Sequence, residues 1–158
     1  SKLAGEKLAL DSCSHTFVIR TAWLYGAQGK NFVKTMLRLG REKGVIRVVN
    51  DQFGCPTSAA DLADALLRLS LTEQYGIYHG VNSGTCSWFD FACRIVDKAG
   101  VRCEKIGITT EEYKAMFPIA AGRPKFSSLN NKKLTFVVGH DMRSWQAAID
   151  NFLATNVL

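Results

Sequence analysis

The sequence predicts an α/β fold with parallel strands. Three observations carry that expectation. Strand-period and helix-period segments alternate as far as residue 100, the pattern of strands joined by crossover helices. Only two segments read as convincing core strands and two more as weak ones, against the ~5–6 strands of a complete doubly wound sheet. The first helical segment begins with neither a cap nor a preceding strand. The last two observations make the expected object the carboxyl-terminal part of a larger α/β protein that lacks its N-terminal strands.

Taken in order, residues 2–10 read as a helix, with Leu3 and Leu10 seven apart and Ala4 and Leu8 four apart. Thr16 to Leu24 (TFVIRTAWL) is rich in β-branched and aromatic residues and reads as one buried strand, ended by Tyr25-Gly26. A helix follows from Asn31 to Arg41, with Phe32, Met36 and Leu39 on one face, then a short strand from Val45 to Val49. Asp51 to Thr57 (DQFGCPT) is a loop punctuated by Gly and Pro. Ser58 is placed to cap a helix, with Asp61 at the third position in a capping-box pattern and Leu62, Leu66 and Leu69 as its buried stripe. Residues 76–81 form another strand. Ser87 caps a helix over 88–99, with Asp90 three residues on and Gly100 closing it. Arg102 to Ile108 reads as a strand, Thr110 to Phe117 as a short helix, Asn130 to Leu134 as one helical turn, and Arg143 to Ala154 as a last helix with Trp145, Ile149 and Phe152 on its face.

Bulk properties narrow the function classes. The chain has 158 residues, 47% of them hydrophobic and 22% charged, a globular balance rather than a disordered one. No apolar run approaches the ~18 residues of a membrane span, and the start, SKLAGEKLAL, is a mixed-charge stretch rather than a secretory signal. The five cysteines (Cys13, Cys55, Cys86, Cys93 and Cys103) are scattered and form no Cys-x-x-Cys pair, which fits free thiols in a reducing cytoplasm. The net charge is +6, but Arg38, Arg41 and Lys43 and then Lys132 and Lys133 are the tightest basic groups. Without a basic run or aromatic interleaving, nucleic acid is not the expected partner. The charge serves an anionic substrate or reflects the basic half of a longer chain.

Six motifs then occur in a specific order: SKLAGE at 1–6, TFVIRTAWLYG from Thr16, NFV at 31–33, DQFGCPT at 51–57, GIYHGVNSGTCSWFDFA at 76–92 and RPKFSSLNNKKL at 123–134. Each is weak alone; in this order they closely resemble the dTDP-4-dehydrorhamnose reductases, of the extended short-chain dehydrogenase/reductase superfamily, over essentially the whole chain. The resemblance implies the carboxyl-terminal part of an NAD(P)-binding Rossmann-like fold plus a small substrate-binding domain. Residues 1–50 would be the remnant of the dinucleotide-binding domain. Residues 51–158 would be mainly substrate-binding, with the strand at 76–81 returning to the parallel sheet. Ser1-Lys2 match the end of the family's Tyr-x-x-x-Lys helix, whose tyrosine would lie upstream of Ser1. There is no Gly-x-x-Gly-x-x-Gly dinucleotide loop, and the family's catalytic Ser or Thr also falls on an earlier strand. The chain by itself is therefore expected to be inactive, and its unpaired strand edges and bare apolar faces to favour association.

The implied reaction passes a hydride from NADPH or NADH to the ketone of dTDP-4-dehydro-L-rhamnose, serving cell-surface polysaccharide synthesis. A tyrosine acid gains strength from a neighbouring ammonium one helical turn away, and by resemblance Lys2 is that ammonium and also a ligand of the nicotinamide ribose. Thr21 and Ala22, at a strand's carboxyl end where such sheets bind ligands, are expected beside the nicotinamide. Trp23 is expected on the sugar or base, with plain core as the competing reading. Asn31, at a helix start, is either a diphosphate contact or an ordinary cap. Gln52, Gly54, Pro56 and Thr57 shape a loop suited to a nucleotide or a structural turn. Arg123 is the best candidate for the diphosphate, since a guanidinium binds phosphate oxygens in bidentate fashion. Tyr25 lacks a lysine four residues on, position 29 being Gly, and is set aside as a catalytic tyrosine. His79 reads as structure, His15 and His140 have no assigned role, and no metal ligands are assigned. A membrane partner is not expected; a homodimer of the full-length protein is compatible with the family. The alternatives are another nucleotide-sugar reductase, or a non-catalytic regulator on the same fold resembling the regulatory subunit of methionine adenosyltransferase.

Overall fold

The structure, a computed structural model, describes residues 1–119 and 121–156. Helix α1 (Lys2–Ser12) buries no residue, and its Leu3 and Leu8 are 59% and 66% exposed. Of the apolar face read from the sequence, Leu3, Ala4 and Leu8 are exposed and Leu10 is half-buried among the described residues. What ties α1 down is polar: the Arg20 guanidinium donates to both oxygens of Glu6 at 2.6 to 3.1 Å.

The stretch expected as one strand is two. β1 (Phe17–Arg20) and β2 (Leu24–Tyr25) are separated by a corner at Trp23, whose φ of 49° lies in the left-handed region that side chains other than glycine rarely enter. β1 is half-buried along its length rather than fully buried. Helix α2 (Phe32–Lys43) runs from an Asn31 cap to Gly44, which closes it in the left-handed conformation at φ 63°. β3 (Val45–Val49), β4 (Phe53–Gly54) and β5 (Thr57–Ser58) lead into α3 (Ala59–Ser70). Then come β6 (Gly76–His79), β7 (Cys86–Ser87), α4 (Trp88–Lys98), β8 (Glu104–Ile108), α5 (Thr110–Met116), α6 (Lys132–Val138) and α7 (Trp145–Thr155). Several expected spans shift: the helix after Asn31 runs on to Lys43, the strand from Gly76 ends at His79, the strand before Ile108 begins at Glu104, the last helix begins at Trp145, and the single turn near Asn130 is instead the longer α6.

The parallel α/β expectation holds. β1 pairs with β6, from Phe17 opposite Gly76 to Arg20 opposite His79, and β3 pairs with β8, from Val45 opposite Glu104 to Val49 opposite Ile108. β2 with β5 is a third parallel pair, and the short β4 and β7 are antiparallel. Apolar side chains gather into two clusters. One joins α2, β3, α4 and α7 through Val33, Met36, Ile46, Phe91, Ile95, Trp145 and Ile149. The other joins α3, β6 and α6 through Ala65, Leu69, Tyr78 and Leu134, with Phe17 and Ile19 of β1 against it. In α3 the buried stripe is Leu62, Ala65 and Leu69; Leu66, expected there, is turned outward, because the helix packs through the face one residue earlier.

The two Ser-x-x-Asp patterns have different fates. Ser87 and Asp90 form a reciprocal capping box at the start of α4. Ser58 makes no side-chain cap on α3, and Asp61 is drawn away to Asn82 Nδ2 at 2.7 Å and to the Arg143 guanidinium at 2.6 and 2.9 Å. Asn82, fully buried, takes over the cap: its Oδ1 accepts from the Ser58 amide at 2.7 Å, and its Nδ2 also donates to the Arg143 carbonyl. Asn131 does a similar service one residue earlier, bonding both the amide and the carbonyl of Val81.

Tyr25 is the opposite case. Its ring packs on Phe91 and Phe152, but its buried hydroxyl has no hydrogen-bond partner among the described residues. Burial first, and the Asp61 carboxylate second, push its pKa far above the ordinary value, so the hydroxyl stays neutral. In urea unfolding, Asn82→Ala is expected to cost about 2–3 kcal/mol because it strands buried partners, whereas Tyr25→Phe should be neutral or stabilise by up to about 1 kcal/mol. A large loss on Tyr25→Phe would mean that the hydroxyl is satisfied after all.

Candidate functional site

The corner at the carboxyl end of β1 gathers most of the side chains singled out in the sequence. Thr21 is exposed and Ala22 half-buried as the chain leaves β1. At Trp23 the chain turns, and the ring is held on both sides. Trp88, the first residue of α4, stacks on it with centroids 3.5 Å apart and planes 8° from parallel. Gly54 lies against the other face. A Cβ there would stand 2.4 to 2.7 Å from three bonded atoms of the indole, Cε2, Cζ2 and Nε1, and near-equal distances to three bonded ring atoms put it over the ring rather than at its rim. With both faces covered, what Trp23 can offer a ligand is its edge and its indole N–H.

Local rules place these parts. The Ser87–Asp90 capping box starts α4 at Trp88, and the Trp88 amide donates to the Gln52 carbonyl at 3.3 Å. The Phe53 amide donates to the Lys125 carbonyl and the Ser127 amide to the Phe53 carbonyl, both at 2.8 Å, so β4 holds the 123–128 segment alongside. Phe32, at the start of α2, packs on Trp88 at 4.6 Å. The exposed Arg123 places its guanidinium carbon 5.8 Å from the Trp88 ring centroid, within cation–π range.

The remaining candidates divide by what their side chains already touch. Asn31 caps α2: its Oδ1 accepts from the Lys34 amide at 3.1 Å and its Nδ2 donates to the Gly26 carbonyl at 2.8 Å. Gln52 is buried and turned toward α5, where its Nε2 donates to Thr110 Oγ1 at 3.1 Å; that threonine donates in turn to Asp51. Thr57 is buried, with its hydroxyl on the Cys55 carbonyl and its amide on the Trp23 carbonyl, both at 3.2 Å. These three therefore shape the loops around the corner. Lys2 is exposed at the start of α1, and its ammonium has no partner among the described residues. It lies one turn before Glu6, on the same helix face, and Glu6 grips Arg20 next to Thr21. Trp88 is the residue that sequence reading missed. Its only signal was a large aromatic directly after a well-formed cap, at a position where a side chain sits at the mouth of its helix.

Among the described residues no group of His, Cys, Asp and Glu is arranged to hold a metal, and no helix is long and apolar enough to cross a membrane. All five cysteines are free. Burial raises the Cys86 thiol to about 12, so it is not a nucleophile at neutral pH. Gly54→Ala is expected to drive Trp23 off Trp88, removing the exciton couplet of the stacked indoles from the far-ultraviolet circular dichroism and costing about 1–3 kcal/mol. A couplet that survives the substitution would contradict the packing described for Gly54.

Comparison with known proteins agrees with this architecture. The family described as RmlD substrate binding domain matches residues 1–157. The spore coat polysaccharide biosynthesis protein SpsK of Bacillus subtilis is 40% identical over 153 residues, covering 97% of this chain and 52% of that protein. A dTDP-4-dehydrorhamnose reductase of Salmonella typhimurium is 38% identical, covering 97% and 54%. Among solved structures, a dTDP-4-dehydrorhamnose reductase of Bacillus anthracis in complex with NADP superposes with a TM-score of 0.92 at 41% identity, over 98% of this chain and 54% of that one. The chain thus spans about half the length of the relatives it matches. Its sequence and its parallel α/β architecture make it a member of the RmlD substrate binding domain family.

Proposed function

We propose that this chain is the substrate-binding part of an NAD(P)H-dependent reductase that converts dTDP-4-dehydro-L-rhamnose to dTDP-L-rhamnose for cell-surface polysaccharide. The observation that carries the reading is the convergence of Thr21, Ala22, Trp23, the α2 start, Trp88 and Arg123 at the carboxyl end of β1. Ligands of open α/β sheets bind at that end of the strands. Membership of the family, and relatives that carry the reductase name, support it.

In this reading Lys2, Thr21 and Ala22 meet the cofactor. They fit it: the two small side chains leave room for a flat ring, and the Lys2 ammonium is free to bond ribose hydroxyls. NAD(P)H, when bound, supplies the hydride. Lys2 places a positive charge beside the proton donor and so makes that donor a stronger acid. Arg123 takes the diphosphate, aided by the amino-terminal end of α2. Trp23 meets the sugar with its edge. Asn31, Gln52 and Thr57 contribute by holding the loops in shape. We assign α1, β1 and the returning β6 to the dinucleotide side. Residues 31–49 share an apolar cluster with Tyr25, α4 and α7, so we place them at the junction between the dinucleotide and substrate sides. We further propose a cytoplasmic setting, supported by the five free thiols, and a homodimer of the full-length protein.

The test is oxidation of NADPH or NADH by the full-length protein with dTDP-4-dehydro-L-rhamnose. Turnover is expected, and Lys2→Ala should lower kcat by about 10²- to 10⁴-fold. Absence of turnover by the unaltered protein would overturn the reductase reading and favour a binding-only regulator.

A further inference from the structure

We propose that Trp88 is a positioning residue that fixes Arg123 for a nucleoside diphosphate. The proposal rests on reading the corner as a nucleotide-sugar site. The geometry is a ladder of four groups. Gly54, buried, covers one face of Trp23; Trp23 stacks on Trp88; Arg123 lies at the outer end against Trp88. Each step is set by the one before it. Gly54 has no side chain to push Trp23 away, and the chain turns at Trp23 in the left-handed region. Trp88 is immobilised by its own stack, by Phe32 and by the bond from its amide to Gln52.

Arg123 stands at the opposite extreme. It is exposed, follows Gly122, and among the described residues its guanidinium has neither a carboxylate nor a hydrogen-bond partner. The Trp88 ring is the contact that restrains it. A long side chain held by a ring keeps all its N–H donors for the ligand, whereas one held by a carboxylate would spend them. An anchored guanidinium also loses less conformational freedom when a diphosphate arrives. Trp88 therefore acts on the ligand through Arg123 rather than by contact.

The experiment is dTDP titration of the full-length protein by calorimetry, with Trp88→Phe and Trp88→Leu each made in the unaltered and in the Arg123→Ala background. Phenylalanine keeps an aromatic face and leucine keeps only apolar bulk, and the Arg123→Ala background separates any general packing loss from loss of the Trp88–Arg123 contact. Trp88→Leu is expected to weaken dTDP binding about five- to tenfold, with Trp88→Phe within about threefold of the unaltered protein. In the Arg123→Ala background both substitutions should change affinity less than about twofold, the signature of coupled residues. Trp88→Leu binding dTDP like the unaltered protein, or losing affinity equally in both backgrounds, would overturn the proposal. An unaltered protein that binds no dTDP would overturn the nucleotide-sugar reading and the proposal with it.

Discussion

The fully buried Asn82 side chain is the joint on which the architecture turns. It follows β6, caps the start of α3 through the Ser58 amide, bonds Asp61 within α3, and reaches the Arg143 carbonyl just before α7. Those contacts link the cluster under β1 and β6 to the one between α2, α4 and α7. A buried amide that satisfies donors and acceptors on three elements gives one relative placement of those elements. An apolar residue there would tolerate many, because apolar contact is not directional. The adjacent backbone bonds between Ser83 and the Arg143–Trp145 stretch extend the same joint.

Placement of those elements sets the corner at Trp23. A left-handed residue other than glycine carries strain, and such strain persists only where surrounding structure over-determines it. Here the determinants are an indole stack on one face, a glycine backbone on the other, and the bond from the Thr57 amide to the Trp23 carbonyl. The result is a rigid aromatic base beside exposed charge: Lys2 and Arg123 have no carboxylate partner among the described residues, while Arg20, Arg94 and Arg143 are committed to carboxylates. Two exposed cations beside a rigid aromatic pair at the strand ends make this end of the molecule suited to an anionic ligand.

Legibility in the sequence followed the range of the interaction. Helix faces such as Trp145, Ile149 and Phe152, and the capping box at Ser87 and Asp90, depend on neighbours within one turn and were readable. The identical pattern at Ser58 and Asp61 misled, because Asn82 and Arg143, both more than twenty residues from it along the chain, compete for the carboxylate. The strand through Trp23 looked continuous, since composition records β-propensity but not a glycine thirty-one positions away that invites the ring to turn. Gln52 and Thr57 were legible as loop residues, yet the direction of their side chains was not.

By itself the sequence determined the α/β class, the order of the main elements, the local caps at Asn31 and Ser87, the face of the last helix, and the family, because periodicity and motif order are properties of the chain read along its length. Only the tertiary structure decided which side chains remain free and which are spent. It committed Asn31, Gln52 and Thr57 to loop geometry, left Lys2 and Arg123 available, and brought Trp88 to Trp23 across sixty-five positions. The physical reason is that a polar or aromatic group takes the best partner within reach, and reach is set by the folded path of the chain rather than by spacing along it.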